Sequence, residues 1–294
     1  MWLKLLLNQT VRQAAEGQVR RWLEDSPGAP TASGEPSTAA AEGTGGAIDA
    51  EQLRADVLLV FGSQAEAGGW IDGASIAASW PIDSGRLVRG RVGELEFVVW
   101  LASGERQDAA VDQLLEGVRP RLVVVAGFGI GLAAEIERGM IVVGTEVSDV
   151  AGATHRSALT FAESADDLRR GLKFGKIVTL AAPPAAGVAR TECHQRTGAL
   201  LADPDGVHVI EVCARREVPW IAVRIATEGA DETPSIQLRS LLDQATLSAK
   251  IGAAVGSLWQ EPLSAKELWR IQEDALQASD RLAKFLRSFL GSLT

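Results

Sequence analysis

The sequence predicts an α/β fold, in which buried strands and helices alternate along the chain. Continuous apolar runs, for example residues 56–61 and 121–126, are typical of strands that are buried on both faces of a sheet. Amphipathic stretches separate such runs, and residues 105–117 place their apolar side chains on one helical face. We therefore expect one mostly parallel sheet with helices packed against it.

The elements follow in chain order from the same patterns. Strands are predicted at residues 56–61, 86–92, 95–101, 121–126, 140–146, 176–180 and 220–226, and helices at 105–117, 205–216 and 236–258. Gly93 and Glu94 separate the second and third strands at the spacing of a hairpin. The helix at 205–216 begins beside an acid, Asp205, and leads through a short turn into the last strand.

Both ends of the chain differ from this pattern. Residues 1–25 form an amphipathic helical stripe. Of residues 26–50, 21 of the 25 are Ala, Gly, Ser, Thr or Pro, which predicts a disordered linker because such a segment cannot bury a core. The folded domain is assigned to residues 51–261, and residues 262–294 form a second amphipathic segment, predicted to be a helical extension outside the core. We expect the terminal helices to pair with each other or to mediate contacts between subunits.

The composition excludes several classes of function. Of the 294 residues, 46% are apolar and 23% are charged, as in a globular protein that buries a core. A formal charge of -9 argues against nucleic acid, which needs a cationic face, and no apolar run reaches the roughly 18 residues of a membrane-spanning helix. Two cysteines and three histidines without ligand spacing predict no disulfide framework, no metal and no cofactor. We expect a cytoplasmic protein that binds neither nucleic acid nor a membrane, with Cys213 buried in a helix.

A glycine-rich segment, Gly127-Phe-Gly-Ile-Gly, follows the strand at 121–126 and contains a partial dinucleotide-binding pattern. Only residues 132–139 separate it from the next strand, whereas a nucleotide-binding crossover needs a dozen or more residues. We therefore reject a dinucleotide site. We interpret Gly127, Phe128 and Gly129 as part of a loop whose backbone amides approach a ligand.

Acidic residues stand where a sheet of this class binds its ligands. Asp205 lies at the start of a helix, and Glu228 lies at the end of the strand at 220–226. Open α/β sheets bind ligands outside the carboxyl ends of their strands. The two acids are therefore expected to face one crevice.

Four segments carry further patterns: residues 57–66, residues 102–110 with Ser103-Gly-Glu-Arg, residues 119–143, and residues 203–231 with Arg224-Ile-Ala-Thr-Glu. In this order they resemble the purine nucleoside phosphorylase and nucleosidase superfamily, especially the methylthioadenosine/S-adenosylhomocysteine nucleosidases. The resemblance covers about residues 55 to 260. It implies a three-layer α/β/α sandwich around a twisted mixed sheet, and a homodimer.

The same resemblance implies a role for each acid. Glu66 stands where the nucleosidases have the glutamate that activates water, and Asp205 where they have the glutamate that grips the ribose hydroxyls. Glu228 stands in place of the aspartate that protonates the purine. Carboxyl groups suit this chemistry because cleavage of an N-glycosidic bond builds positive charge on the sugar and the departing base needs a proton. The implied function is hydrolysis of an adenosine-type nucleoside.

The chain departs from the family pattern at several of these positions. Glu228 is one methylene longer than the family's aspartate, and Asp205 is one shorter than its glutamate. Phe128 replaces a serine, and residues 179–184 lack the aromatic side chain that stacks on the purine. Two alternatives stay open: a scaffold that binds a nucleoside or a protein partner without catalysis, and a phosphorylase in which Arg106 holds phosphate.

Simpler interpretations exist for individual residues. Glu66 is either a catalytic acid or a solvated loop acid, and Asp205 is either a ribose ligand or an acid favoured by a helix dipole. Arg224 lies in an apolar strand and is expected to form a structural ion pair, because an unpaired buried charge is costly. Trp220 is expected in the core, and His208 is expected to pack against neighbours instead of taking part in catalysis.

Overall fold

The computed structural model of the chain describes residues 41–42, 48, 50–103, 108–159, 171–182, 184–232 and 265–291. The expected N-terminal helix at 1–25, most of the expected linker and the expected helix at 236–258 lie outside these residues. Within them, strands and helices build the mixed α/β fold that the sequence predicts.

The described residues contain eleven strands and six helices. The strands are β1 (Ala41–Glu42), β2 (Val57–Phe61), β3 (Ser75–Ile82), β4 (Gly85–Val92), β5 (Leu95–Ala102), β6 (Leu122–Gly131), β7 (Ile141–Ser148), β8 (Thr154–Arg156), β9 (Leu172–Thr179), β10 (Leu201–Asp203) and β11 (Trp220–Glu228). The helices are α1 (Ala50–Leu53), α2 (Gln64–Asp72), α3 (Asp108–Val118), α4 (Val188–Thr197), α5 (Gly206–Arg215) and α6 (Ala265–Leu290).

All these strands join one sheet, whose hydrogen-bonded order is β1-β3-β4-β5-β2-β6-β10-β9-β7-β11, with β8 paired to β7. β11 also pairs with β6, so β6, β10, β9, β7 and β11 close into a five-stranded ring beside the open part of the sheet. β2 is parallel to β5 and β6, whereas β11 is parallel to β6 and antiparallel to β7. The expected mixed sheet is therefore confirmed, and the ring is a feature that the sequence patterns did not predict.

The strand β2 shows why the sheet is covered on both faces. Its five residues are all buried. Val57, Leu59 and Phe61 pack into one apolar core with α2 and α6, whereas Leu58 and Val60 pack into a second core with α3 and α5. Successive side chains of a strand point to opposite faces, so a strand without polar residues needs a core on each side. This arrangement gives the expected three layers.

β6 extends further than the sequence predicts and takes in the glycine-rich segment. Up to Gly131 it continues as a strand, paired with β11 and with β10. The interpretation of Gly127, Phe128 and Gly129 as a loop is therefore wrong. A Cβ at Gly129 would lie 2.9 Å from the carbonyl oxygen of Ala202 in β10, so the close approach of the two strands requires a glycine there.

Several elements escaped the sequence prediction because they lack a clear apolar stripe. α4 buries only Arg190 and Cys193, so its pattern is polar on almost every side. α2 contains two adjacent glycines, Gly68 and Gly69, which lower helix propensity. β3 alternates between exposed and partly buried residues and contains Pro81, as is typical of a strand near a sheet edge.

The C-terminal helix α6 belongs to the core, which corrects the expectation of an extension outside it. Leu282, Phe285 and Phe289 are buried and join the core that contains Phe61 and Trp70. The periodicity of the segment predicted an amphipathic helix correctly, but periodicity cannot show which surface the apolar face meets. The face that was expected to contact another subunit is covered within the chain.

α2 and α6 approach each other most closely at Gly69. A Cβ there would lie 2.8 Å from the backbone carbon and oxygen of Ser279, so a larger residue would push the helices apart. Nearby, the Arg287 guanidinium donates to the carbonyl oxygens of Gly69 at 3.0 Å and Trp70 at 3.4 Å. Carbonyl groups in the last turn of a helix have no partner within that helix, so a cation from α6 stabilises the end of α2.

Two further observations concern the edges of the fold. Ala41 and Glu42 pair with β3, so the expected disordered linker contains at least this short strand. None of the described helices combines the length and the apolar character needed to cross a membrane.

We expect Gly69→Ala to lower the free energy of unfolding by about 1–3 kcal/mol, because the added methyl group overpacks the α2–α6 contact. Gly68→Ala is the matched control: its Cβ would lie 3.8 Å from Ser279 Oγ, an ordinary contact, and alanine favours a helix by about 1 kcal/mol. Urea unfolding followed by tryptophan fluorescence measures both variants. Equal stabilities would show that α6 does not pack closely on α2.

Both cysteines are buried, as expected for Cys213, and burial raises the pKa of the Cys213 thiol to about 12. The thiolate is the reactive form of cysteine. We therefore expect Cys213 in a Cys193→Ser background to resist Ellman's reagent at about pH 8 in the folded protein and to react at once in denaturant. Rapid reaction without denaturant would contradict this burial.

Candidate active site at the carboxyl ends of the strands

Glu66 lies in the first turn of α2, three residues after the helix cap and just beyond the end of β2. The cap is Ser63, whose Oγ accepts the backbone N–H of Glu66 at 3.3 Å. A serine followed three residues later by a glutamate is a common signal for a helix start. Glu66 is 8% exposed, which excludes the interpretation as a solvated loop acid.

The carboxylate of Glu66 is directed by β6. Its Oε1 accepts the backbone N–H of Phe128 at 2.8 Å. A Cβ at Gly127 would lie 2.7 Å from the same oxygen, so the glycine provides the space that the carboxylate occupies. Phe128 itself is buried in the core beside Phe61. Gly127 and Phe128 therefore position Glu66 through the backbone of the strand.

The C-terminal helix also holds Glu66. Ser279 Oγ donates to the backbone carbonyl oxygen of Glu66 at 3.0 Å and accepts the N–H of Gly69 at 2.9 Å. Ser279 is buried. Because one hydroxyl satisfies two backbone groups of α2, the position of Glu66 depends on a residue more than two hundred positions further along the chain.

A buried ion pair lies at the centre of the site, where Arg224 of β11 meets Asp203 at the end of β10. The Nε and Nη2 atoms of Arg224 donate to Asp203 Oδ2 at 2.9 Å and 2.6 Å. The Nη1 atom donates to the carbonyl oxygen of Val125 at 2.7 Å. The ion pair expected for Arg224 is thus confirmed, with Asp203 as its partner.

The other oxygen of Asp203 organises the start of α5. Its Oδ1 accepts the hydroxyl of Thr179 at 2.6 Å and the backbone N–H of Gly206 at 3.3 Å. Thr179 Oγ1 in turn accepts the N–H of Val207 at 3.0 Å. Both oxygens of the buried carboxylate are satisfied, as the low polarity of the surroundings requires.

Three carboxylates act on Arg224. Burial lowers the pKa of its guanidinium, but nearby negative charges raise that pKa by more, so it lies above the ordinary value. The charges belong to Asp203, Asp205 and Glu66, in decreasing order of effect. The pKa of Arg224 therefore depends on both Glu66 and Asp205 as well as on its hydrogen-bonded partner Asp203.

Asp205 occupies the N-cap position of α5 and is half-buried. Its side chain makes no capping hydrogen bond to the helix, although this position favours such a bond. The capping role falls instead to Asp203 and Thr179, which bind the N–H groups of Gly206 and Val207. The half-buried Asp205 carboxylate instead contributes to the raised pKa of Arg224.

Glu228 lies four residues beyond Arg224 at the end of β11 and forms a second buried ion pair. Arg190 Nη2 donates to Glu228 Oε2 at 2.6 Å, and both side chains are almost fully buried. Arg190 Nη1 also donates to the carbonyl oxygen of Gly229 at 2.6 Å. Among the candidate acids, Glu228 is therefore the one that binds an arginine of α4.

The structure shows where the remaining candidate residues lie. Gly129 meets β10 through its backbone and has a packing role, while Trp220 is buried in the core as expected. His208 is exposed, so its expected packing role is wrong. Arg106 lies outside the described residues. No group of three or more potential metal-ligating side chains occurs in the described part of the chain.

Three residues of the site were not found from the sequence. The family pattern indicated Asp205 as the site residue and not Asp203, although Arg224 was expected to pair with an acid. Arg190 lies in an unpredicted helix, and Ser279 lies in a segment assigned outside the core. Only the pairing of Arg224 left a signal in the sequence, because the other two contacts join segments that are distant along the chain.

Known proteins share the fold described above. The sequence model of the phosphorylase superfamily matches residues 81–257, more than half of the chain. No match was found among curated protein sequences.

Solved structures of nucleosidases share the fold. 5′-Methylthioadenosine/S-adenosylhomocysteine nucleosidase from Helicobacter pylori with butyl-thio-DADMe-Immucillin-A gives a TM-score of 0.58 at 14% identity, over 81% of this chain and 98% of that one. S-adenosylhomocysteine nucleosidase from Streptococcus pyogenes in complex with 5-methylthiotubericidin gives a TM-score of 0.58 at 14% identity, over 82% of this chain and 98% of that one. Futalosine hydrolase of Helicobacter pylori gives a TM-score of 0.56 at 14% identity, over 82% of this chain and 99% of that one. At these identities the likeness establishes the fold alone.

We expect Asp203→Asn to lower the free energy of unfolding by about 3–5 kcal/mol, because it leaves the Arg224 charge buried and unpaired. Asp205→Asn is the matched control, two residues away and half-buried, with an expected loss below about 1 kcal/mol. Urea unfolding measures both. Equal losses would show that the buried pair does not stabilise the site in this way.

Proposed function

We propose that this chain, which belongs to the phosphorylase superfamily, hydrolyses the N-glycosidic bond of a nucleoside. The observation that carries the proposal is the group of three carboxylates, from Glu66, Asp203 and Asp205, whose charges act on the buried Arg224. Carboxylate groups suit a sugar that becomes positively charged in the transition state. The fold shared with nucleosidases supports the same reaction class.

In this proposal Glu66 takes a proton from the attacking water. The N–H of Phe128 orients its carboxylate, and the hydroxyl of Ser279 fixes its backbone. A base that is already held in place loses little conformational freedom when the substrate binds, which favours catalysis. The buried position of Glu66 strengthens its electrostatic effect on a developing cation.

Asp205 is the proposed ligand of the ribose hydroxyls. It is half-buried at the start of α5, beside the buried pair and without a capping bond to its helix. Asp203 is not suited to this role, because both of its oxygens bind protein groups. Glu228 is assigned to the region of the base, further along β11.

Hydrolysis fits the described charges better than phosphorolysis. Three carboxylates act on Arg224, and each of them would repel an incoming phosphate dianion. Arg106, the residue expected to hold phosphate, lies outside the described residues. The phosphorylase alternative predicts that added phosphate raises the rate of base release, and the hydrolase proposal predicts no effect.

The proposed substrate is an adenosine-type nucleoside of the methylthioadenosine/S-adenosylhomocysteine class. The panel of test substrates contains methylthioadenosine, S-adenosylhomocysteine, adenosine and inosine. It also contains futalosine, because a futalosine hydrolase shares the fold. Release of the free base is followed by chromatography with and without phosphate. A protein that releases no base from any member of the panel, with or without phosphate, would overturn the proposal.

We expect Glu66→Gln to lower kcat/KM for the best substrate by about 10²–10⁴-fold, because the amide cannot accept a proton from water. Glu211→Gln is the control, since Glu211 is an exposed glutamate on α5 and should retain full activity. Thermal unfolding verifies that both variants are folded. Full activity of Glu66→Gln would contradict the assigned role.

The non-catalytic alternative gives a different result in the same panel. A scaffold that only binds a nucleoside would show binding heat in calorimetry without release of base. Turnover that is lost in Glu66→Gln while nucleoside binding is retained would indicate an enzyme. A non-catalytic scaffold would show no turnover even without the substitution.

A homodimer in the cytoplasm also remains part of the proposal. The resemblance to the nucleosidases supports a dimer, whereas α6 cannot supply its interface through the apolar face that packs into the core. Light scattering of the whole chain tests the assembly. Deletion of α6 is not a suitable test, because it would expose the core.

A further inference from the structure

The backbone beside Glu228 is held by a carboxylate from the turn that follows β11. Glu232 Oε2 accepts the backbone N–H of Gly229 at 3.2 Å, and the backbone N–H of Glu232 donates to the carbonyl oxygen of Gly229 at 3.3 Å. The N–H of Gly229 belongs to the rigid peptide plane that joins this residue to Glu228. The contact therefore limits rotation of the backbone next to the Glu228 side chain.

Arg138, in the turn between β6 and β7, holds the carboxylate of Glu232. The Nε and Nη2 atoms of Arg138 lie 3.0 Å and 2.8 Å from Glu232 Oε2. Its Nη1 atom donates to Asp274 Oδ2 of α6 at 3.3 Å. All three side chains are only partly buried. One guanidinium thus connects the turn after β11 to the C-terminal helix.

The turn that carries Arg138 is itself fixed against β11. The backbone N–H of Gly139 donates to the carbonyl oxygen of Ala226 at 2.7 Å. A Cβ at Gly229 would lie 3.2 Å from the carbonyl oxygen of Ile136, so the turn also lies directly against the residue after Glu228. Because the backbone of this turn is already in place, only the arginine side chain has to be ordered for the ion pairs to form.

The same helix supports the other end of the candidate site. Ser279, five residues after Asp274 on α6, binds the backbone of Glu66 and of Gly69. The apolar face of α6 is buried in the core, as described above. One anchored helix therefore contacts the first turn of α2 directly, and it contacts the end of β11 through Arg138.

We propose that Arg138 is a positioning residue, which ties the backbone beside Glu228 to the helix that also holds Glu66. This inference rests on the proposed function. In this role Arg138 touches no substrate and acts only through the location of Glu228. A misplacement of about 1 Å can cost roughly a hundredfold in rate, so a contact that limits the movement of a site residue affects catalysis even when it contributes little to stability.

The first experiment measures amide hydrogen exchange by mass spectrometry and needs no substrate. Arg138→Met removes both ion pairs, and we expect exchange in residues 226–232 to become about 3–30-fold faster, the range that two partly exposed pairs can contribute. Asp274→Asn removes only the contact with α6 and should give a smaller increase. Unchanged exchange in Arg138→Met would overturn the inference, whether or not the chain is an enzyme.

Arg215→Met is the matched control for both experiments. Arg215 is a half-exposed arginine that also pairs with two acids, but it lies in the last turn of α5, at the opposite end of that helix from Asp205. The variant should leave exchange in residues 226–232 and the rate of base release unchanged. An equal effect of Arg215→Met and Arg138→Met would show a general loss of stability and would contradict the assigned role.

The second experiment measures kcat/KM for the best substrate of the panel. We expect Arg138→Met to lower it by about 3–30-fold, for the reason given for exchange. Arg138→Lys should recover part of the loss, because lysine keeps the charge but lacks the planar fork of the guanidinium. Full activity of Arg138→Met would overturn the inference and leave the proposed function intact.

A double variant tests whether Arg138 acts through Glu228. If it does, the addition of Arg138→Met to Glu228→Gln lowers kcat/KM by less than about twofold, because the residue that was positioned is already altered. A loss that only reflects less folded protein would have the same factor in both backgrounds. The same factor in both would therefore overturn the proposal. Should Glu228→Gln be inactive, the exchange experiment and the single variant decide the question.

The two proposals fail in different ways. A wild-type chain that releases no base from the panel overturns the proposed function, and with it the catalytic consequence of the Arg138 contacts. An active wild-type chain whose Arg138→Met variant keeps its activity overturns only the present inference. Faster exchange in residues 226–232 together with a loss of activity that disappears in the Glu228→Gln background supports it.

Discussion

The buried ion pair between Arg224 and Asp203 is the interaction on which the site depends. It joins four strands of the five-stranded ring, because Arg224 on β11 binds Val125 on β6 and Asp203 on β10, and Asp203 binds Thr179 on β9. A charge inside an apolar sheet is tolerated only when all of its hydrogen-bonding groups are satisfied. The cost of burying Arg224 therefore dictates where Asp203 lies, and Asp203 dictates where α5 and Asp205 begin.

Glu66 is held by a second, independent set of contacts. The cap at Ser63 starts α2, the N–H of Phe128 orients the carboxylate, and Ser279 ties the first turn to α6. Each contact comes from a different part of the chain, and each is weak alone because a single hydrogen bond contributes about 1 kcal/mol. Together they hold a carboxylate at the end of the sheet. The C-terminal helix is thus a part of the site as well as of the core.

The two arginines of the site give its two ends different chemistry. Three carboxylates act on Arg224, of which Asp203 forms two hydrogen bonds with its guanidinium. Arg190 forms a buried ion pair with Glu228 at the other end. The family resemblance assigns an acid to the position of Glu228. In this chain the neighbouring helix supplies an arginine that forms an ion pair with this acid. The chemistry of a residue that is assigned from a family pattern therefore depends on the contacts that it makes in this chain.

The sequence by itself determined seven of the eleven described strands, the cover on both faces of the sheet and the expectation that Arg224 needs an acid. Apolar periodicity and the cost of an unpaired charge are local properties of a segment, so they can be recognised without the fold. It also placed Glu66, Asp205 and Glu228 at element ends. Only the tertiary structure decided that the glycine-rich segment is a strand, that α6 enters the core, and that Arg190 and Ser279 contact the candidate acids. These contacts join distant segments, and an amphipathic or polar pattern carries no information about which partner it will meet.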